Sequence, residues 1–457
     1  MTGFRVPLST IVSVLSASAK NCDELLDNRE AIALGVTTDT RAVQSGELFF
    51  ALEGETFDGH IFAKQAIEKG AIAAVTRQGV LPPNADFPYI EVENTLAAYQ
   101  TVGRWWRRQC GLPVVAITGS VGKTTTKEII SAALSKFGAV LKTQANFNNE
   151  IGVPKTLLNI EPAHDYAVVE MGMRGLEEIA LLAQIAEPTV GLITNVGTAH
   201  IGRLGSREAI AQAKCELLRE LPAKSTAVLN GDDALLMETA ARFWSGRTIT
   251  YGLEKGDVRG ELAGDCVSVE GVSVPLPLPG RHNALNLLGA IATLKALNLD
   301  WTKLAAGFAV SMPAGRSQMH KLPNDVWLLD ETYNAGAEAM VAALQLLADQ
   351  PGERRIAVLG TMKELGEQSV ALHRQIGETV AKLKLDRLLI LADPEEAEAM
   401  AAGAGAVSTQ RLEGLDELTS CVRREMVKGD RYLFKASRSV AMDKVVDGLL
   451  KDLEADK

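Results

Sequence analysis

Cysteine is scarce in this chain of 457 residues, and its five copies, Cys22, Cys110, Cys215, Cys266 and Cys421, lie far apart. They form neither a Cys-x-x-Cys pair nor the dense spacing of a disulfide framework, which excludes a small secreted scaffold and fits a reducing cytosol. Long apolar runs are missing as well. Nothing approaches the ~20 residues of a membrane span. The stretch Pro7 to Ala19 holds an apolar run shorter than the signal-peptide core of about 7–15 residues, with only Arg5 ahead of it. It reads as an amphipathic first helix capped by Ser9 or Thr10. An excess of positive charge is also lacking: 47 Lys and Arg stand against 57 Asp and Glu, a formal net charge of −10. Such a chain has no broad positive field for non-specific nucleic-acid binding. Nucleic acid and membrane are therefore set aside as partners, and a cytoplasmic monomer is expected. A guanine-reading Asn-Lys-x-Asp motif is absent too, which disfavours a regulatory GTPase.

What is present is an ordinary globular composition, 47% hydrophobic and 23% charged, in a chain too long for one core. Apolar, β-rich runs alternate with helical patterns, the signature of α/β architecture with parallel sheets covered by helices. One series of strands is expected at Val114 to Ile117, Tyr166 to Glu170, Val190 to Thr194, Thr226 to Leu229 and Thr248 to Tyr251. A second is expected at Val326 to Leu329, Arg355 to Leu359, Arg387 to Leu391 and Arg431 to Phe434, at spacings that suit βα units. Upstream, Leu48 to Leu52 and Ile72 to Val75 suggest a smaller α/β unit. Pro313 and Gly315 punctuate a joint. Three domains are expected, at 1–93, 94–315 and 316–457.

Directly after the strand Val114 to Ile117 comes Thr118-Gly119-Ser120-Val121-Gly122-Lys123-Thr124-Thr125, and a helix-forming pattern follows. Strand, glycine loop and helix in this order make a phosphate-binding loop. Its glycines let backbone N–H groups turn toward phosphate oxygens, Lys123 supplies a cation, and the Thr124 hydroxyl can reach Mg²⁺. The loop is a variant, because Ile117 stands where the full pattern has Gly. Glu170 ends the neighbouring strand as an acid able to hold Mg²⁺ between phosphate oxygens. Asn195 and His200 follow the strand Val190 to Thr194 and fall at the same edge, where ligands bind in open α/β sheets. Asn146, Asn148 and Asn149, three asparagines within four residues, are costly to bury unpartnered and support a polar site.

These blocks, taken in order from about Thr37 to Leu449, resemble the Mur ligase family of ATP-dependent, ADP-forming amide-bond ligases. The resemblance implies a three-domain chain with a small N-terminal domain, a central P-loop ATPase domain and a C-terminal Rossmann-like domain. The implied reaction activates the carboxylate of UDP-N-acetylmuramoyl-tripeptide as an acyl phosphate and joins it to D-alanyl-D-alanine in peptidoglycan synthesis, with ATP and Mg²⁺. By the same resemblance, Thr38, Asp39, Thr40 and Arg41 hold the UDP end of the substrate, and Asn146, Asn148, Asn149 and Arg174 lie on the substrate side. Glu170 and His200 become Mg²⁺ ligands beside Thr124, and Lys214 matches a lysine that several members carry as a carbamate. His282, Asn283 and Asn286 match the adenine side, Arg316 an arginine that reaches the phosphates, and Asp330 a ribose-binding acid. Tyr333 and Asn334 match residues of the dipeptide domain. The chain departs from the family pattern at Ala145, at Gly336-Ala337 in place of Asn-Pro, at Thr361 and at Ala436.

Overall fold

The computed structural model of the chain describes residues 3–20, 22, 31–82 and 84–455. The α/β class holds, with three main sheets in chain order. In the first, β1 (Ser18–Lys20), β2 (Val36–Thr37), β3 (Leu48–Phe50), β4 (Ala73–Arg77) and β5 (Tyr89–Val92) lie in the order β1-β5-β4-β3-β2, parallel except for β1 against β5. Helices α1 (Leu8–Leu15) and α2 (Thr95–Cys110) pack Leu8, Ile11, Tyr99 and Val102 against Phe50, Val75 and Ile90. The cap expected at Ser9 or Thr10 is not formed, because α1 begins earlier, behind Pro7. The Leu8 N–H donates to the Ala31 carbonyl at 3.0 Å, so backbone distant in the chain satisfies the helix start instead of a hydroxyl.

The central sheet has nine strands: β6 (Val114–Thr118), β7 (Val140–Lys142), β8 (Tyr166–Glu170), β9 (Val190–Ile193), β10 (Thr226–Asn230), β11 (Thr248–Gly252), β12 (Val258–Ala263), β13 (Cys266–Val269) and β14 (Val272–Pro275). Their order is β14-β13-β12-β11-β10-β9-β6-β8-β7, parallel from β12 to β7. Alternate residues of β6 enter two different cores, Val114 and Ala116 on one side and Val115 and Ile117 on the other. A strand buried on both faces has to be apolar throughout, which is why it was readable as a continuous run. Helices α3 (Lys123–Leu134) and α6 (Arg281–Ala296) cover the second face, while α4 (Glu178–Ala186) and α5 (Arg207–Arg219) cover the first. The antiparallel edge β12 to β14 was not anticipated. It turns at Glu270-Gly271, both at positive φ (49° and 82°), between the paired Val269 and Val272, a two-residue hairpin of the type that matches strand twist.

The third sheet comprises β15 (Gln318–Leu322), β16 (Val326–Asp330), β17 (Arg354–Gly360), β18 (Arg387–Leu391), β19 (Ser408–Arg411) and β20 (Asp430–Lys435), in the order β15-β16-β20-β17-β18-β19 with only β15 antiparallel. Helices α7 (Ala337–Ala348) and α8 (Ser369–Lys382) bury Met340, Leu344, Ile376 and Val380 in the core that also holds Met171 and Leu182. One continuous apolar core thus joins the second and third sheets. The expected strands fall within two residues of the observed ones at either end, and Tyr166–Glu170 and Arg387–Leu391 coincide.

Candidate active site

Three central strands end level with one another, since Glu170 pairs with Ile117 and Ile193 with Thr118. Beyond these ends and facing the third sheet lies a cleft of about 840 Å³. The phosphate loop forms its floor. Gly119 at φ 152° is held against β9, where an added Cβ would lie 1.8 Å from Thr194 Oγ1; only glycine fits. Gly122 caps α3 without a side chain, which leaves the first-turn N–H groups uncapped and their positive end open to an anion. Asn195 clamps the loop: its Oδ1 accepts from Val121 N at 3.0 Å, its Nδ2 donates to Val121 O at 3.0 Å, and its carbonyl accepts from Ser120 N at 3.1 Å.

Lys123 folds back over the loop, its Nζ donating to Gly119 O at 2.7 Å and Ser120 O at 3.3 Å. The crowded walls push its pKa below the ordinary lysine value, Glu170 opposes that shift, and Arg316 adds to it. Glu170 is 3% exposed. Its carboxylate accepts from Thr124 Oγ1 at 2.9 Å and from Asn148 Nδ2 at 2.8 Å. A hydroxyl and a carboxylate side by side are the hard oxygen donors that Mg²⁺ takes, so this corner fits the ion. His200 sits at positive φ (66°) with Nδ1 2.6 Å from Glu364 Oε2. The approach is close, but the nitrogen makes no hydrogen bond of regular geometry among the described residues. Burial lowers the His200 pKa, Glu364 raises it, and Lys123 and Lys214 lower it again. The net shift is toward the neutral imidazole, the form that can ligate a metal.

Lys214 is 1% exposed on α5 and is not among the residues lining the cleft, with no ion pair or hydrogen bond among the described residues. Burial, and then Lys123, push its pKa well below the lysine range. An ammonium there offers no lone pair to a metal; a carbamate would offer oxygen.

The other sequence candidates divide. Ser120 to Thr125, Asn146, Asn148, Asn149, Glu170, Arg174, His200, His282, Asn286, Arg316, Tyr333 and Asn334 all line the cleft. Thr118 and Gly119 support it from the strand side. Asn283 does not line it: 1% exposed, it donates from Nδ2 to Pro279 O at 2.7 Å and accepts from Asn286 Nδ2 at 3.1 Å, so it orients Asn286. Asp330 is turned inward, accepting from Thr332 N at 3.0 Å and Oγ1 at 2.6 Å, while Glu331 faces the cleft. Thr38, Asp39, Thr40 and Arg41 lie on the N-terminal unit, outside the cleft. There the Arg41 side chain is 87% exposed, and its hydrogen bond holds the Asp39 carboxyl down to about 2. From the third sheet, Arg316 stacks its guanidinium 4.0 Å from the Tyr333 ring centre. Lys435, its pKa lowered by burial, donates to Asn334 O at 3.1 Å.

Comparisons with known proteins bear on the family of the chain. Three family models match in succession: "Mur ligase family, catalytic domain" over residues 34–102, "Mur ligase middle domain" over 117–294 and "Mur ligase, glutamate ligase domain" over 315–438. A relative from Synechocystis sp., a UDP-N-acetylmuramoyl-tripeptide–D-alanyl-D-alanine ligase, is 55% identical over 91% of this chain and 92% of its own. The chain belongs to the Mur ligase family. An Escherichia coli ligase of the same name is 35% identical over 97% of this chain and 98% of its own. Among solved structures, MurF from Acinetobacter baumannii superposes with a TM-score of 0.88 at 30% identity, covering 99% of this chain and 100% of that one. MurF from Thermotoga maritima, solved in complex with ADP, gives 0.81 at 30% identity over 93% and 98% of the two chains. The cleft residues that sequence reasoning left without a role include Asn195, Glu338, Lys363, Lys435 and Arg438. Asn195 had a signal in its strand-end position; Glu338 had none.

Proposed function

We propose that this Mur ligase joins D-alanyl-D-alanine to UDP-N-acetylmuramoyl-tripeptide, cleaving ATP to ADP and phosphate and giving UDP-N-acetylmuramoyl-pentapeptide for peptidoglycan synthesis. The observation that carries the reading is the meeting, in one cleft, of a P-loop from the central sheet with Arg316, Tyr333 and Lys435 from the third. Such a cleft can hold ATP between two domains that also present the substrates to be joined. The names of the Synechocystis and Escherichia coli relatives support the choice of substrates.

In this reading residues 1–93 hold the UDP end, 94–315 the nucleotide and 316–457 the dipeptide. The position of Thr38 to Arg41 outside the cleft suits a substrate whose nucleotide end is separated from its reacting carboxylate by a sugar and a peptide. That carboxylate attacks the ATP γ-phosphorus, the bond to the β-phosphate oxygen breaks, and an acyl phosphate and ADP form. The dipeptide amine then attacks the acyl carbon and loses a proton, and phosphate leaves from the tetrahedral centre. Lys123, Arg316 and the open end of α3 balance phosphate charge, while the cleft walls exclude water that would hydrolyse the acyl phosphate. Thr124 and Glu170, with His200, would hold Mg²⁺, whose part when bound is to shield the repulsion between carboxylate and phosphate. Asn286, held by Asn283 and by Thr126 Oγ1 at 3.1 Å, faces the adenine side with His282. Among the described residues no helix is long and apolar enough to cross a membrane.

Phosphate release from ATP, measured with UDP-tripeptide and with or without D-alanyl-D-alanine, tests the reaction. Release should depend on the dipeptide and be matched by pentapeptide in the mass spectrum; release indifferent to the dipeptide rejects it. The metal corner carries its own prediction. Glu170→Ala and His200→Ala should each slow turnover and raise the Mg²⁺ concentration needed for half-maximal rate, since a bound metal contributes roughly several kcal/mol to such transfers. Superimposable Mg²⁺ titrations of both variants and the parent would leave the two residues with structural roles only.

A further inference from the structure

The segment Asn195–Leu204 is held from two sides. From its own domain it is fixed to the phosphate loop: besides the Asn195 clamp, Gly197 N donates to Ser120 Oγ at 2.8 Å and Thr194 Oγ1 donates to Val121 O at 2.7 Å. From the third domain, Glu338 at the start of α7 accepts from Thr198 N at 2.7 Å, and its second oxygen lies 3.2 Å from Thr198 Oγ1. The approach is tight, because a Cβ on Gly197 would come within 2.6 Å of the Glu338 carboxylate carbon. Two residues further on, Glu364 from the same domain faces His200, pairs with Arg203 at 3.3 Å, and accepts from Gly202 N through its carbonyl at 3.1 Å.

We infer that Glu338 is a positioning residue that couples the third domain to the phosphate loop. Its carboxylate fixes Thr198, Thr198 fixes Gly197 and Asn195, and those residues fix Ser120 and Val121. The contact of Glu338 with Thr198 and the contacts of Gly197 and Asn195 with the phosphate loop are hydrogen bonds at the distances given above, and the short backbone 195–198 joins the two sets. Docking of the third domain therefore sets the geometry of the loop that receives the phosphates. Conversely, a loop filled by nucleotide presents Thr198 to Glu338. The coupling needs hydrogen-bond partners at Glu338 and not a charge: a glutamine can accept from Thr198 N with its oxygen and donate to Thr198 Oγ1 with its amide nitrogen.

The inference rests on the ligase reading, and the test separates the two. In the full chain, dipeptide-dependent phosphate release and thermal midpoint are measured for the parent, Glu338→Ala, Glu338→Gln, Thr198→Val and the double variant Thr198→Val/Glu338→Ala. Glu338→Ala should lose about 10- to 100-fold in kcat, the scale of a small misplacement in a positioned site, with its melting unchanged. Glu338→Gln should stay within about threefold of the parent, and the double variant should be no slower than Glu338→Ala, as for residues acting as one unit. Unchanged kcat in Glu338→Ala, additive losses in the double variant, or a glutamine variant as slow as the alanine one each overturn the coupling. Should Glu338→Ala melt early, Thr198→Val against Glu338→Gln carries the comparison. A parent enzyme without dipeptide-dependent release would instead sink the ligase reading.

Discussion

Lys123→Ala is expected to reduce dipeptide-dependent phosphate release by roughly 10²–10³-fold or more, the cost of losing one preorganised donor aimed at developing charge. Its Nζ reaches across the loop to Gly119 O and Ser120 O, so it stands where phosphate oxygens enter. Arg316, stacked on Tyr333, and Lys435, bonded to Asn334 O, come from the other wall of the cleft and not from the loop itself. The fold should survive the change. Because burial lowers the folded-state pKa of Lys123, the unfolded chain binds that proton more tightly. The charged lysine is therefore a cost to the folded state below the folded pKa, and stability rises with pH from there to the unfolded value near ~10.4. Removing the group removes that cost. A melting curve at least as high as the parent's, together with lost turnover, is the expected pair. Near-normal ligation by a folded Lys123→Ala protein would reject this loop as the phosphate site.

The P-loop was legible because everything that makes it is local: an all-apolar strand, glycines at a sharp turn, a lysine and a hydroxyl at the helix start. Glu170 was legible for the same reason, as the polar end of a buried strand. The opposite wall was not. Thr198 and Glu338 are 140 residues apart in the chain, and no periodicity announces that a first-turn glutamate of α7 meets a loop of another domain. Neighbouring polar residues were also hard to tell apart. Asn283 and Asn286 lie one turn apart on α6, yet only Asn286 faces the cleft. Asp330 and Glu331 are adjacent, yet the strand alternation turns the first inward. The edge β12 to β14 escaped notice because its strands alternate buried with exposed residues, a weak signal beside the apolar runs of the central strands.

Lys214 is the residue whose position changes its meaning most. Read alone it is a solvated lysine on a helix, but α5 places it one turn after Ile210 and one before Leu217 and Leu218, on the buried stripe. That spacing was in the sequence. A buried lysine without a carboxylate partner is costly, and burial, with Lys123 nearby, shifts it toward the neutral amine. A neutral amine can attack CO₂: the nitrogen–carbon bond forms, the nitrogen loses a proton, and a carbamate anion replaces a base. Two expectations separate this role from packing. Lys214→Ala should lose activity by about 10²-fold or more and regain part of it with added acetate or formate, which can restore a carboxylate in the vacated space. Lys214→Met, similar in shape and apolar, should melt no lower than the parent in metal-free buffer, because an unpartnered polar group has been replaced without a cavity. Its advantage should shrink as pH rises through ~10.4, above which the parent lysine is neutral in both folded and unfolded chains. A ¹³C signal from labelled CO₂, present in the parent and absent from both variants, would identify the adduct directly. Full activity of Lys214→Ala without added acid would remove the lysine from the site and leave the metal to Thr124, Glu170 and His200.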